Sequence, residues 1–212
     1  FMGFQADAVR ATRHVLPADK SLIRFVGGPW TLMHYGVDYR AHMDFKKYYL
    51  KEVIIPLLQG NIQLQLDAGA EKVLIIDSGL DTLGRSFLRD TYSELLNELV
   101  GPDCGYYCKG LTTDLSHLVL NKMWGGIGFD ASINIETIMD KKKDGFIQGN
   151  FDQNFMLLPE DRFRGKVDEF IAKMKDIPDR TGWVCGLGHG INKETPEDRV
   201  HYFINKIRNE FS

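Results

Sequence analysis

Long apolar runs are missing from this 212-residue chain. None approaches the roughly 20 residues that a membrane-spanning helix needs, which sets a helical membrane protein aside. Residues Phe1 to Arg13 alternate polar and apolar side chains and carry no secretory h-region. Cysteine is scarce, with 3 residues (Cys104, Cys108 and Cys185). An odd number so spaced argues against a disulfide framework, and reduced thiols in a cytoplasmic protein are expected. Excess charge of one sign is also lacking: 26 Lys and Arg stand against 29 Asp and Glu, a net charge of −3. That balance does not suggest nucleic acid as the main partner, nor a disordered acidic tail. No Gly/Ser or Pro-rich linker divides the chain, so one domain over residues 1–212 is expected.

Several catalytic signatures are absent too. G-x-x-x-x-G-K-[ST] does not occur, which excludes a P-loop. No G-x-S-x-G elbow surrounds Ser78, which argues against a serine hydrolase. Gly186-Leu187-Gly188-His189-Gly190 is glycine-rich but does not match the dinucleotide fingerprint. C-x-x-C and H-x-x-x-H pairs are missing, so no metal is expected.

What is present is a regular alternation of helix-like and strand-like patterns. Phe4 to Leu16 reads as an amphipathic helix, followed by a short β-rich run at Ser21 to Val26. A long helical pattern runs from about Asp38 to Asp67, with a possible interruption at Pro56. Lys72 to Asp77 is a continuous apolar run, as in a strand buried on both faces. Helices are then predicted at Thr82–Val100, Asp114–Lys122, Ile135–Lys142 and Pro159–Met174, alternating with strands at Gly105–Lys109, Gly126–Asp130, Gly145–Asn150 and Gly182–Leu187. Thr195-Pro196-Glu197-Asp198 reads as the N-cap and acidic first turn of a last helix. Lys141-Lys142-Lys143-Asp144 reads as the solvated C-terminal end of a helix. Six strand–helix units imply a parallel α/β sheet with helical crossovers, and both a doubly wound sheet and a (β/α) barrel fit the count.

In parallel α/β folds ligands bind beyond the C-terminal ends of the strands. Five of these ends run from apolar residues into polar or glycine-rich ones: Gly27-Gly28-Pro29-Trp30-Thr31, Asp77-Ser78-Gly79, Cys108-Lys109-Gly110, Gly149-Asn150-Phe151-Asp152 and the glycine-rich stretch around His189. His189, flanked by two glycines, reads either as a turn histidine or as a donor facing a ligand. Asp77-Ser78 is either a turn-forming pair or a carboxylate and hydroxyl offered to a substrate. Cys108, Cys185 and His189 all fall at strand ends, where buried structural cysteines are the default and a zinc site the alternative. Arg24 interrupts an apolar strand, so it is paired with a neighbouring carboxylate or faces a wet cavity as an anion receptor.

The same strand ends resemble the uroporphyrinogen decarboxylase family. Leu22 to Met33, LIRFVGGPWTLM, is similar to the family's LIGFAGAPWTLMTY, with Tyr35 at its tyrosine. Asp77-Ser78 resembles its FDS element, and Gly128-Phe129-Asp130 its G-[VL]-D-W. Gln148 to Asp152 is similar to its QGNLDP, and Leu187 to Ile191 with Thr195-Pro196-Glu197 to its LGHGI…TPPE ending. The resemblance implies a (β/α)8 TIM barrel in which the six units correspond to the third to eighth strands. The family's MRQAGRYLPE arginines and pyrrole-binding aspartate, which precede them, have no counterpart. It implies a carboxy-lyase of haem and porphyrin biosynthesis that removes CO2 from the four acetate arms of uroporphyrinogen to give coproporphyrinogen. It further implies a tetrapyrrole partner, no cofactor, and a homodimer.

Carried over residue by residue, the resemblance implies that Tyr35, Ser78 and His189 contact the substrate's acetate and propionate groups. Arg24, Asp77 and Lys109 are candidate substrate-binding residues beside them, with Arg24 standing in part for the missing arginines. Gly79, Gln153 and Arg24 itself depart from the family pattern. Zinc- and corrinoid-linked methyltransferases of the same superfamily, with an H-x-C motif and a later cysteine, are an alternative. Cys108 and Cys185 fall near those places, but Tyr106 occupies the histidine position. A non-catalytic porphyrin-binding remnant is the other.

Overall fold

The apolar runs form strands close to where the sequence places them in the computed structural model, which describes residues 2–37, 42–141 and 144–211. Among the described residues there are six: β1 (Ile23–Gly27), β2 (Lys72–Asp77), β3 (Cys104–Cys108), β4 (Gly126–Phe129), β5 (Phe146–Phe151) and β6 (Trp183–Leu187). They follow sequence order in one sheet, each consecutive pair separated by helical chain. The chain forms two compact units, Phe1–Ile127 and Gly128–Ser212.

In the first unit, β1 pairs parallel to β2 and β2 to β3. Gly27 is level with Ile76, and Asp77 with Cys108, so the C-terminal ends of the three strands lie side by side. Helix α1 (Gly3–Val15) turns Ala6 and Val9 onto Leu22, Ala68 and Ala70. Small residues there let the helix sit close. Helix α2 (Pro29–Gly36) starts directly at the end of β1, where Pro29 suits the first turn because its missing N–H has no intrahelical partner to lose.

The expected helix to Asp67 is observed as α3 (Met43–Tyr49), a π-turn over Leu50–Ile54 and α4 (Ile55–Asp67), while positions 38–41, including the expected start at Asp38, lie outside the described residues. The cause of the change in pitch is local. Pro56 has no N–H to donate, and the Ile55 N–H reaches back to the Leu50 carbonyl instead. Strand β2 is buried on one face, through Val73, Ile75 and Asp77, and half-buried on the other, so burial on both faces is corrected there. The single helix expected over Thr82–Val100 is a series of short turns: a 3₁₀ turn at Leu80–Thr82, α5 (Arg85–Phe87), a π-turn at Leu88–Tyr92, α6 (Ser93–Leu95) and a 3₁₀ turn at Leu96–Glu98. The π-turn brings both Leu88 and Tyr92 into the interior. Helix α7 (Thr113–Leu120) and the start of β4 complete the unit.

The second unit holds α8 (Ile135–Lys141), β5, a 3₁₀ turn at Gln153–Leu157, α9 (Glu160–Asp176), β6 and α10 (Glu197–Phe211). β5 and β6 are parallel, with Phe151 level with Leu187. Helix α9 buries Phe163, Val167, Phe170, Ile171 and Met174, a stripe with helical spacing. The Phe151 ring packs tilted against Phe203 (4.8 Å between centroids) and edge-on to Phe170 (5.5 Å). Helix α8 ends at Lys141, and Lys142 and Lys143 lie outside the described residues. The Thr195 cap is corrected: α10 begins at Glu197, and the buried Thr195 Oγ1 has no hydrogen-bond partner. Among the described residues no helix is long and apolar enough to cross a membrane.

Candidate functional site at the strand ends

Asp77 carries the organisation of the first unit's strand ends. It lies on the same face of β2 as Val73 and Ile75, and all three are fully buried. A carboxylate in such a place must be hydrogen-bonded, since its charge is otherwise very costly to bury. Here three donors meet it. The Thr31 N–H donates to Oδ1 at 2.9 Å, the Tyr106 hydroxyl to Oδ2 at 2.7 Å, and the Tyr92 hydroxyl also to Oδ2. Tyr92 in turn accepts from the Trp30 N–H at 3.0 Å. Burial nevertheless outweighs these bonds and raises the Asp77 pKa above the usual carboxylate range. Burial, then the Asp77 charge, hold both tyrosines well above the ordinary phenol range, so they remain donors. Gly28 is required by the same contact: a Cβ there would lie 2.3 Å from the Asp77 carboxyl carbon.

Ser78 follows at the tip of β2 and is half-buried. Its N–H donates to Thr31 Oγ1 at 2.9 Å. The next turn is tied down as well: Thr82 Oγ1 donates to the Gly79 carbonyl at 2.7 Å and accepts from the Trp30 indole N–H at 2.9 Å. Gly79 takes φ +86°, in the left-handed region that suits glycine. Lys109 stands at the neighbouring tip of β3, its N–H on the Asp77 carbonyl at 3.0 Å and its own carbonyl accepting from Leu80 N–H at 3.0 Å. Strand spacing puts the Ser78 and Lys109 backbones roughly 5 Å apart. Lys109 is half-buried, and its ammonium makes no ion pair among the described residues. A serine and a lysine thus occupy neighbouring strand tips.

Tyr35 lies on α2, one helical turn beyond Thr31, and is 80% exposed with its ring edge-on to His34. In the second unit His189 follows the tip of β6 and is half-buried. Its loop is fixed by Gly188, whose N–H donates to the Phe151 carbonyl at 2.7 Å. A Cβ on Gly188 would come within 2.8 Å of the Ala131 backbone nitrogen. Asn150, buried, donates from Nδ2 to the carbonyls of Asp130 (2.9 Å) and Ile133 (2.7 Å), and so pins the loop after β4.

Two expected substrate contacts are corrected. Arg24 lies on the helix side of β1: its Nε donates to Gln65 Oε1 at 3.3 Å, and Gln65 is a buried residue of α4. Its partner is thus an amide rather than a strand carboxylate. Arg24 is level with Val73, about 16 Å down the strand from Ser78 at ~3.3 Å per residue. Asp77 is fully enclosed, with both carboxylate oxygens already bonded. Tyr92 is the residue that sequence reasoning did not place in the site, while Trp30, Thr31 and Tyr106 were named without their part in holding Asp77. The one available signal was Asp77 itself, a charge in register with two apolar core residues.

The parallel β/α repeats, with their polar side chains beyond the strand tips, define an α/β fold of the TIM-barrel type. A methyltransferase from Methanosarcina mazei has the same fold, with a TM-score of 0.73 over 98% of this chain and 64% of that chain at 17% identity. The model of the uroporphyrinogen decarboxylase (URO-D) family matches residues 1–210, and the chain belongs to that family. Uroporphyrinogen decarboxylase of Orientia tsutsugamushi (strain Ikeda) is 24% identical, the match covering 97% of this chain and 65% of the relative. That of Proteus mirabilis (strain HI4320) is 28% identical, covering 97% and 63%. The chain therefore spans less than two thirds of the length of these relatives.

Proposed function

We propose that the protein acts on uroporphyrinogen as a decarboxylase, removing CO2 from its acetate arms. The observation that carries this reading is the family match across residues 1–210. Ser78 and Lys109 bind a carboxylate of the ring's side chains, the hydroxyl by donating and the ammonium by charge. Tyr35 and His189 act as hydrogen-bond or proton donors near the reacting arm. Protonation of a pyrrole carbon turns the ring into an electron sink. The bond to the carboxylate then breaks, CO2 leaves, the resulting exocyclic methylene is protonated to a methyl group, and the ring carbon gives up its added proton to restore the pyrrole. In this scheme Asp77 positions its neighbours, and Arg24 supports the fold. A homodimer in the cytoplasm is proposed on the same family resemblance.

The zinc-dependent methyltransferase reading is less well supported. Tyr106 stands where that branch has a histidine ligand, and its hydroxyl is committed to Asp77. Burial also pushes the Cys185 thiol up to about 12, which opposes the thiolate a metal requires. The test is an anaerobic assay with uroporphyrinogen, resolving products by carboxylate number. Products with seven to four carboxylates are expected. Absence of turnover with retained binding of uroporphyrin, the oxidised ring, would instead identify a porphyrin-binding protein without decarboxylase activity.

A further inference from the structure

The Ser78 hydroxyl has no hydrogen-bond partner among the described residues, whereas the backbone around it is held on both sides. Upstream, one hydroxyl serves both backbone groups of Ser78: Thr31 Oγ1 accepts from its N–H at 2.9 Å and lies 3.4 Å from its carbonyl oxygen. Thr31 is itself fixed, because its own N–H donates to Asp77, and Asp77 is held by two tyrosines. Downstream, Thr82 holds the Gly79 carbonyl, and Trp30 holds Thr82. Both clamps thus originate in the first turn of α2, at Trp30 and Thr31. A side chain left free on a backbone fixed at both ends is pre-aimed, and aim is worth rate when it places a group against a reacting substrate.

We propose that Thr31 is a positioning residue for Ser78, holding its backbone so that the free hydroxyl meets the substrate carboxylate in one orientation. The inference rests on the reading of Ser78 as a substrate contact. Its test compares Thr31→Val, which keeps the shape and removes the hydroxyl, with Thr31→Ser, which keeps the hydroxyl. Two quantities are read in the full chain: hydrogen exchange at the Ser78 amide, and kcat and KM for uroporphyrinogen.

In Thr31→Val, Ser78 exchange is expected to quicken by about tenfold or more, since the amide loses its acceptor. There kcat is expected to fall about tenfold with KM nearly unchanged. Thr31→Ser is expected to restore both. A merely structural threonine would lower the melting temperature while leaving kcat per folded molecule intact, and that result overturns the proposal. Unchanged Ser78 exchange in Thr31→Val overturns it as well. If the unaltered protein converts no uroporphyrinogen, the proposed reaction falls, and the exchange comparison then decides the positioning alone. Should Thr31→Val not fold, Thr31→Ala removes the same hydroxyl with a better helix-forming residue, and unchanged Ser78 exchange or unchanged kcat there would overturn the proposal.

Discussion

At the scale of single residues, Asp77 sets the conditions for its neighbours, and its titration has a definite sign. Burial raises its folded-state pKa above the value it has in an unfolded chain. The folded state therefore holds the Asp77 proton more tightly than the unfolded state does. Its contribution to stability is fully present below the unfolded carboxylate pKa of about 3.9 and is lost as pH rises through the raised value. Unfolding of the protein and of Asp77→Asn, compared by urea denaturation across pH, should show the unaltered protein losing ground to the variant as pH increases from about 4. A difference that grows in favour of the unaltered protein over that range would contradict the assignment. The positions of Ser78, Lys109 and His189 just beyond strand ends were legible because each stands where an apolar strand runs into polar or glycine residues. The place of Tyr92 and the bond from Thr31 to Asp77 were not, because they depend on contacts 15 and 46 residues away along the chain.

At the scale of elements, strands were easier to read than helices for a physical reason. A parallel strand is fixed by its own apolar run, whereas Leu80–Glu98 obeys a distant requirement, the delivery of the Tyr92 hydroxyl to Asp77. A continuous α-helical pattern there is broken into a π-turn and two 3₁₀ turns. Helix α2 escaped notice because glycine and proline mark a turn, and in this chain the turn and the helix start coincide at Gly28-Pro29. Loops are held by comparable side-chain devices. Asn150 satisfies two carbonyls of the loop after β4 from a buried position. Asn150→Ala would remove a donor from both, leaving the Asp130 carbonyl its bond from the Ile133 N–H at 3.4 Å, and is expected to cost about 1–3 kcal/mol in chemical denaturation. A loss below about 0.5 kcal/mol, the usual range for surface substitutions, would mean that the loop is held by other means.

At the scale of the molecule, the fold decides which charges would meet the polyanionic substrate proposed above. Its strands carry their chemistry at the C-terminal tips, as parallel β/α folds do. Lys109 is at such a tip, while Arg24 is near the opposite end of β1 and bonded to the helix layer. The two cations, equivalent in composition, should therefore separate cleanly in a crossed measurement. Lys109→Ala is expected to weaken uroporphyrin binding about tenfold, equal to ~1.4 kcal/mol, with little change in unfolding. Arg24→Ala is expected to leave that affinity unchanged and to lower stability by about 1–2 kcal/mol, since the buried Gln65 oxygen loses its donor. The reverse pattern, in which Arg24→Ala abolishes binding and Lys109→Ala does not, would mean that the ligand enters from the other end of the strands. Ser78 and the Thr31 clamp would then lie at the wrong end of the strands for the chemistry assigned to them.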